Sequence, residues 1–175
     1  LAQRGYIVIA PDYPGFGDQA NYNFDADRYE SGIMKAVFNN IRCVDFLQNR
    51  KDVDPERIGI IGHSLGGHTA MYTAAFDTRI KVIVSSCGWT LRRYYNNYDE
   101  EMRKKYGSRL WGMTQQTYSP LALTKYQLKV ENMPFDFDEL IAVLAPRPFF
   151  SNSPIHDANF NVEGIRVGIA NVSEV

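Results

Sequence analysis

Apolar residues are distributed along this chain in two distinct patterns. Four short runs are almost continuously apolar and are bounded by Gly, Pro or charged residues, which is typical of strands buried inside a sheet. These runs are residues 6–10, 58–61, 80–85 and 149–151. Elsewhere apolar side chains recur every three or four residues, which is typical of a helix with one apolar face. The predicted helices are residues 29–48, 65–76, 138–144 and 162–170.

Strands and helices alternate along the chain, and this order predicts the fold class. An alternating order implies right-handed crossovers between parallel strands. Because the strands lack a clean alternation of apolar and polar residues, we expect both faces of the sheet to be covered. We therefore predict an α/β fold with a mostly parallel sheet and helices on both faces.

The alternation is interrupted before the fourth strand. Residues 92–137 are polar, rich in aromatic residues and only weakly periodic, so we predict an insertion at about residues 90–134. Packing of the insertion onto the sheet is the simpler role for each of its aromatic residues, and lining of an acyl or sugar pocket is the alternative. These residues are Tyr94, Tyr95, Tyr98, Tyr106, Trp111, Tyr118 and Tyr126.

Composition and charge limit the function classes that remain. A length of 175 residues suits one domain, and a net charge of −1 gives no basic excess for a nucleic-acid partner. The apolar runs are shorter than the roughly 20 residues of a membrane span. Cys43 and Cys87 form no CxxC pair and are interpreted as small apolar residues. No cluster of His, Cys and Asp residues predicts a metal or another cofactor.

Both ends of the sequence suggest a longer parent protein. The sequence begins at Leu1 without an initiator Met, and alternating apolar residues near Val172 predict that a strand is just beginning there. We interpret the chain as an internal piece and its single domain as incomplete. The compartment is left open, since a signal peptide would precede such a piece.

The pentapeptide Gly62-His63-Ser64-Leu65-Gly66 fits the G-x-S-x-G pattern of a nucleophile elbow. It follows a predicted strand and precedes a predicted helix, at the edge where α/β sheets gather their chemistry. Such a turn strains the serine backbone and brings together the residues two before and two after it, which predicts glycine at both positions. The helix start directs N–H groups towards developing negative charge, so the Leu65 N–H is the expected oxyanion donor.

The same stretch has two other interpretations. An incidental glycine turn has no need of a serine, although a bare G-x-S-x-G pattern also arises by chance. A phosphate-binding loop, G-x-x-x-x-G-K-[ST], differs at one position, because His68 stands where the lysine belongs. Histidine is mostly neutral at pH 7, and no other nucleotide-binding feature accompanies it. The nucleophile hypothesis is therefore favoured.

Several blocks of the sequence resemble a known superfamily. They are RGYIVIAPDYPGFGD at the start, VDPERIGIIGHSLGGH followed by IKVIVSSCGW, and MPFDFDELIAVLAPRPFF followed by SPIHDANF. In this order they resemble α/β-hydrolases, and among them the dienelactone hydrolase and acetyl-xylan-esterase-like branch, which is related to prolyl oligopeptidases. The resemblance spans nearly the whole chain and is weakest at residues 90–117. It implies a serine hydrolase fold in which the insertion is a cap or lid.

The resemblance also implies two members of a catalytic triad. Ser64 is the nucleophile, and Asp157 is the acid, in the loop just past the fourth strand. Such an acid must orient and stabilise a histidine at the same edge of the sheet. Asp136 and Asp138 are alternatives, but Asp138 precedes a helical run and is expected to be its N-cap, whereas Asp136 lies away from the strand end.

The catalytic histidine is missing from its expected place. In this fold the chain order is serine, acid, histidine, yet no histidine follows His156. His63 and His68 flank the serine and His156 precedes the acid, so local packing or hydrogen bonding is the expected role of all three. We predict that the base lies beyond residue 175 and that the second oxyanion donor precedes Leu1.

These features predict a serine hydrolase that cleaves a small-molecule carboxylic ester through an acyl-enzyme on Ser64, with no cofactor and no metal. The isolated piece is expected to be inactive. Three alternatives remain open: a serine peptidase of the prolyl-oligopeptidase type, an acyltransferase that passes the acyl group to an alcohol or thiol, and a non-catalytic binding scaffold with the same fold.

Overall fold

The computed structural model of the chain describes residues 1–26, 28–96, 100–108, 110 and 117–173. The described residues contain three strands, β1 (Gly59–His63), β2 (Val82–Ser86) and β3 (Phe149–Asn152). They also contain six α-helices: α1 (Gly32–Gln48), α2 (Leu65–Phe76), α3 (Glu100–Tyr106), α4 (Pro120–Thr124), α5 (Phe137–Leu144) and α6 (Val162–Val172).

The three strands form one parallel sheet in the order β1-β2-β3. Their register aligns the carboxyl ends, since His63 pairs with Ser86 and Ser86 pairs with Asn152. Helices α2, α5 and α6 connect or follow these strands, so the predicted α/β class with a parallel sheet is confirmed. The loops that leave β1, β2 and β3 therefore begin side by side at one edge of the sheet.

Helices cover one face of this sheet in the described part of the chain. Ile83 on β2 is fully buried beneath α2, together with Val44 from α1 and Leu144 from α5. On the other face, Ile61 and Phe150 are 58% and 62% exposed. Within the described residues, no helix therefore covers this second face, although the sequence predicted cover on both. An apolar strand indicates that cover is favourable, but it does not show which element supplies it.

Two strands expected from the sequence are not formed. Residues 6–10 have no strand pairing in the described structure, and Tyr6 is 62% exposed. A strand needs a neighbour for its backbone groups, and an apolar run does not tell which neighbour is available. The strand expected near Val172 is wrong, because α6 continues to that residue; its N-cap, Asn161, accepts a hydrogen bond from Glu163 N at 2.8 Å.

The predicted insertion contains α3 and α4, and its described aromatic residues pack into the protein to different degrees. Tyr118 is buried against Ile33 and Val37 of α1. Tyr95 is buried with Leu110 and Leu128. Tyr94 and Tyr126 are half-buried. Tyr98, Trp111 and the side chain of Tyr106 lie outside the described residues. The division of the chain into a domain and an insertion stays a prediction.

A single arginine ties the end of helix α2 to the segment before β3. The Arg147 Nη1 atom donates to the carbonyl oxygens of Ala74 at 2.8 Å, Ile80 at 3.1 Å and Asp77 at 3.3 Å, and its Nε donates to Leu144 O at 3.2 Å. The last carbonyl groups of a helix have no partner inside the helix. Arg147 therefore supplies hydrogen bonds that α2 and the following turn require.

We expect Arg147→Met to lower the free energy of unfolding by about 1–3 kcal/mol, because it leaves several carbonyl groups at the end of α2 without a donor. Urea unfolding measures this change. Arg50→Met is the control, since Arg50 pairs with Asp52 on the exposed surface, and it should leave the unfolding midpoint unchanged. An Arg147→Met midpoint equal to that of the unmodified protein would contradict the assignment.

Candidate active site

Ser64 lies at a sharp turn between strand β1 and helix α2. Its backbone has φ 53° and ψ −119°, a conformation that residues with a side chain rarely adopt. The Ser64 N–H donates to Ser86 O at 2.8 Å, so the turn is held against the end of β2. The side chain is exposed at the carboxyl edge of the sheet. Backbone strain of this kind persists only where the surrounding structure enforces it.

The glycines around Ser64 meet different steric demands. A Cβ on Gly62 would lie 2.1 Å from the backbone carbon and oxygen of Gly66, so no side chain fits there. A Cβ on Gly66 would meet no atom within 4 Å, so the expected steric need for this second glycine is wrong. A Cβ on Gly67 would lie 2.9 Å from Ser85 Oγ. The close approach of α2 to the sheet thus depends on Gly62 and Gly67.

The Leu65 N–H is the first of helix α2, where the helix itself offers no acceptor. In the described part of the chain no other group accepts a hydrogen bond from it. The start of a helix also carries the positive end of the helix dipole. This N–H is therefore free to bind an oxygen that becomes negatively charged beside Ser64, and its role as an oxyanion donor stays a prediction.

A row of polar side chains joins the ends of the three strands. Ser86 Oγ lies 3.2 Å from His63 Nδ1, and Asn152 Nδ2 donates to Ser86 Oγ at 3.0 Å. The Ser86 hydroxyl thus accepts a hydrogen bond from Asn152 and shares a second hydrogen bond with the His63 ring. His63 is therefore engaged with Ser86, and sequence reasoning missed this row because it depends on strand register.

His68 is half-buried one helical turn beyond Ser64 and lines a cavity described below. Its Nδ1 lies 3.2 Å from Gly88 O, which only accepts, so the ring donates this hydrogen bond. The ring centre lies 5.2 Å from that of Tyr72 and 4.9 Å from that of Phe137. Burial lowers the pKa of His68 to about 4; the Gly88 carbonyl opposes this shift and the charge of Arg92 adds to it. His68 is thus neutral at pH 7.

Asp157 follows strand β3 in a turn that binds one of its oxygens. Asp157 Oδ1 accepts hydrogen bonds from Asn159 N at 2.8 Å and Phe160 N at 2.9 Å. No described residue donates to its other oxygen, and the side chain is only half-buried. A triad acid needs this arrangement, with one oxygen held by the loop and the other free for a histidine.

Asp136 is the N-cap of helix α5, and the expectation that Asp138 has this role is wrong. Asp136 accepts from Phe137 N at 2.7 Å and from Arg92 N at 3.1 Å, while Arg92 Nη1 lies 3.3 Å from it. Burial raises the pKa of Asp136 against the lowering effects of Phe137 N and Arg92. Its oxygens are already committed to these groups. Asp138 instead accepts from Asn171 Nδ2 at 2.7 Å on the surface.

None of the three histidines is in a position to activate Ser64. In the described part of the chain, no side chain forms a hydrogen bond with Ser64 Oγ. His63 is engaged with Ser86, His68 is engaged with Gly88, and His156 is exposed in the loop that carries Asp157. The described residues thus place a strained serine and a carboxylate with one unbound oxygen at the same edge of the sheet. None of the described histidines forms a hydrogen bond with either group.

A cavity of about 650 Å³ lies on the outer side of α2. Its walls are mostly apolar and come from α1, α2, α4 and α5, with His68, Tyr72 and Arg92 among the lining residues. Ser64 and Asp157 do not line it. The cavity is therefore separate from the strand ends that carry the candidate catalytic groups.

Comparison with known proteins gives the family. A family model described as glucuronyl esterase, fungi, matches residues 17–170. The chain belongs to the glucuronyl esterase family. The Bacillus subtilis protein YtaP is 31% identical over 177 residues, covering 94% of this chain and 51% of YtaP. Carbohydrate esterase MZ0003, from an unknown prokaryotic organism, is 28% identical and covers 85% of this chain and 35% of its own length.

Solved structures share the same fold. A glucuronoyl esterase from Solibacter usitatus is 25% identical, with a TM-score of 0.60 over 82% of this chain and 36% of that one. A promiscuous family 15 carbohydrate esterase from a marine bacterial metagenome has a TM-score of 0.66 over 93% of this chain and 41% of that one, at 22% identity. The predicted α/β-hydrolase superfamily is confirmed. This glucuronyl esterase family member spans about half the length of YtaP and about a third of MZ0003.

The described residues also bear on two other kinds of site, a membrane span and a metal centre. No helix among them is long and apolar enough to cross a membrane. Residues 1–26, 28–96, 100–108, 110 and 117–173 also contain no group of three or more His, Cys, Asp or Glu side chains that could hold a metal ion.

We expect Gly62→Ala and Gly66→Ala to differ sharply although both change the same motif. Gly62→Ala forces its new methyl group into the backbone of α2 and should lower the free energy of unfolding by at least about 1–3 kcal/mol. Gly66→Ala adds a methyl group in open space and should leave stability unchanged or slightly raised. Thermal unfolding of both variants measures this. Equal destabilisation by the two changes would contradict the described turn.

We expect the neutral state of His68 to make the fold sensitive to acid. The unfolded imidazole binds a proton below about pH 6.5, while the folded one stays neutral to about pH 4. Stability is therefore fully present above pH 6.5 and falls as the pH drops towards 4. Between pH 7 and 5 the unmodified protein should lose about 1–2 kcal/mol more than His68→Asn, which keeps a donor for Gly88 O.

Urea unfolding at pH 7 and pH 5 measures this difference. His156→Asn is the control, because His156 is exposed, and its pH dependence should match that of the unmodified protein. A His68→Asn variant with the same loss of stability in acid as the unmodified protein would show that His68 is not held neutral by the fold.

Proposed function

We propose that the protein containing this chain is a serine hydrolase that cleaves carboxylic esters, with Ser64 as nucleophile, Asp157 as triad acid and the Leu65 N–H as an oxyanion donor. The strained backbone of Ser64 is the observation that carries this proposal. A serine at φ 53° between a strand and a helix is costly, and a purely structural turn gains nothing from placing a hydroxyl there.

The reaction follows from this geometry. Ser64 Oγ attacks the ester carbonyl carbon while a histidine takes its proton, and the Leu65 N–H donates to the oxyanion of the tetrahedral intermediate. The intermediate collapses with loss of the alcohol, which receives that proton from the histidine. Water, activated by the same histidine, then attacks the acyl-enzyme and releases the acid with Ser64 restored.

The histidine is proposed to come from outside the 175 residues. The hydrogen bonds of His63 and His68 and the exposure of His156 support this, since each histidine is accounted for without Ser64. The free oxygen of Asp157 is the group that would orient the missing ring. A second oxyanion donor is proposed from outside the chain as well, and the isolated chain is not expected to hydrolyse esters.

The proposed substrate is a carboxylic ester of a carbohydrate. Support comes from the names of similar proteins, namely carbohydrate esterase MZ0003 and a 4-O-methyl-glucuronoyl methylesterase of Sodiomyces alcalophilus, which is 24% identical over 74% of this chain. Peptidase activity, acyl transfer to an alcohol or thiol, and a non-catalytic binding role are less favoured. Product analysis with peptide substrates and with competing acceptors would separate these alternatives.

We expect a fluorophosphonate to label the full-length protein at Ser64, because an activated serine attacks the phosphorus, displaces fluoride and loses its proton to the base. Mass spectrometry of peptides locates the adduct. Ser64→Ala should abolish both the adduct and the hydrolysis of methyl glucuronate, which serves as the test ester. A folded full-length protein that gains no adduct would contradict an activated nucleophile and favour the binding scaffold.

Asp157→Asn and Asp136→Asn form a matched pair for the acid. Asp157→Asn should lower kcat by about 10³–10⁴ with little change in stability, as expected for a triad acid. Asp136→Asn weakens the cap of α5 and its contact with Arg92, so it should lower stability while kcat is retained. The reverse pattern would make Asp136 the acid.

A further inference from the structure

The turn that carries Asp157 is attached to the first segment of the predicted insertion. We call residues 90–96 the root segment. Asn96 N donates to Asn159 O at 2.8 Å, and Tyr95 pairs with Phe160 in an antiparallel β-bridge. Thr90 Oγ1 donates to Asn161 O at 2.9 Å. Three consecutive residues after Asp157 are thus each bound to the root segment.

Two of these three residues also hold the carboxylate. The N–H groups of Asn159 and Phe160 donate to Asp157 Oδ1, while the same residues are held on their other side by Asn96 and Tyr95. The rings of Tyr95 and Phe160 meet edge to face, with centres 5.7 Å apart. The orientation of the Asp157 carboxylate therefore depends on where the root segment places Asn159 and Phe160.

The root segment is itself firmly anchored. Thr90 and Leu91 are buried, and Arg92 is bound to the Asp136 carboxylate and to Phe135 O. A Cβ on Gly164 would lie 2.3 Å from Thr90 Oγ1, so helix α6 packs directly against this segment. Because the root segment is anchored in this way, its hydrogen bonds can hold the turn after β3 in one position.

We propose that Tyr95 is a positioning residue for the triad acid: its ring and backbone fix Phe160 so that the turn amides bind Asp157 Oδ1 and the second carboxylate oxygen faces the catalytic histidine. This inference rests on the proposed function, because it requires Asp157 to be the acid. It gives the predicted insertion a role beyond covering the site. Burial and the negative charge of Asp157 raise the pKa of Tyr95 to about 12, in keeping with a phenol near that carboxylate.

The test uses three variants of the full-length protein. Tyr95→Ala removes the ring, and Tyr95→Phe keeps the ring without the hydroxyl. Tyr118→Ala is the matched control, since Tyr118 is 4% exposed, Tyr95 is 5% exposed, and the two belong to different apolar clusters. Each variant is measured for thermal unfolding, kcat, KM and the pH dependence of kcat/KM with p-nitrophenyl acetate.

We expect Tyr95→Ala to lower kcat by about 10- to 100-fold with KM nearly unchanged, because a displaced acid orients the histidine poorly. The acid limb of kcat/KM should also move to lower pH, since a carboxylate farther from the imidazole raises its pKa less. Tyr95→Phe should keep kcat and the acid limb at the values of the unmodified protein. Tyr118→Ala should lower the unfolding temperature without moving the acid limb.

A double-mutant cycle tests whether Tyr95 acts through Asp157. In the Asp157→Asn background, Tyr95→Ala should lower kcat no further, because the acid it positions is already lost. An equal loss in both backgrounds overturns the proposal, as does a Tyr95→Ala variant that is less stable but keeps its kcat and acid limb. A Tyr95→Phe variant as impaired as Tyr95→Ala overturns it too.

The outcomes also separate this inference from the proposed function. Full kcat in Asp157→Asn would show that Asp157 is not the acid, and the positioning role would fall with it. A strong loss in Asp157→Asn with an unaffected Tyr95→Ala would overturn the positioning role alone. If Tyr95→Ala does not fold, Phe160→Leu removes the same ring contact from the other side and should move the acid limb in the same direction.

Discussion

The close approach of helix α2 to the ends of β1 and β2 is the constraint on which the rest of the site depends. No side chain fits at Gly62, and a Cβ on Gly88 would lie 2.4 Å from Ser85 Oγ. The helix can therefore begin immediately after the strand, and the Ser64 N–H bonds to Ser86 O. Ser85 Oγ is buried there without a hydrogen-bond partner among the described residues, a cost that the packing around it must offset.

The parallel sheet then sets the distance between the two proposed catalytic groups. Ser64 follows β1 and Asp157 lies in the loop after β3, with β2 between them. Adjacent strands are about 4.8 Å apart, so Ser64 and the proposed acid Asp157 approach the edge from either side of the β2 end. The row from His63 to Asn152 fixes the three strand ends on which this spacing depends.

Local sequence patterns predicted the parts of this structure that depend on neighbouring residues. The turn at Ser64, helices α1, α2, α5 and α6 and strands β1 to β3 follow from apolar periodicity and from one motif. Features that depend on pairing over long distances were not predictable in the same way. The segment at residues 6–10 has strand-like composition but no partner strand in the described part of the chain. The need for Gly67 rather than Gly66 depends on where Ser85 lies.

The three candidate acids also show how far local sequence patterns can predict the site. Sequence position separated Asp157 from Asp136 and Asp138, but it assigned the helix cap to the wrong residue. The hydrogen-bond partners of Asp136 and Asp157 distinguish these two carboxylates more clearly. Asp136 binds Phe137 N and Arg92, whereas Asp157 leaves one oxygen without a described donor. Which oxygen is free depends on hydrogen bonds to the root segment and the turn after β3, and no local pattern encodes these.

Burial beside helix α2 finally makes His68 poorly suited to act as the base. Arg92 is bound to Asp136, and burial together with the charge of Arg92 lowers the pKa of His68 to about 4. An efficient general base has a pKa near the working pH, so His68 is too weak a base although it lies one turn from Ser64. Its ring is also fixed by the hydrogen bond to Gly88 O. The position of the base is therefore indicated better by the free oxygen of Asp157, the proposed acid, than by closeness to Ser64 along the sequence.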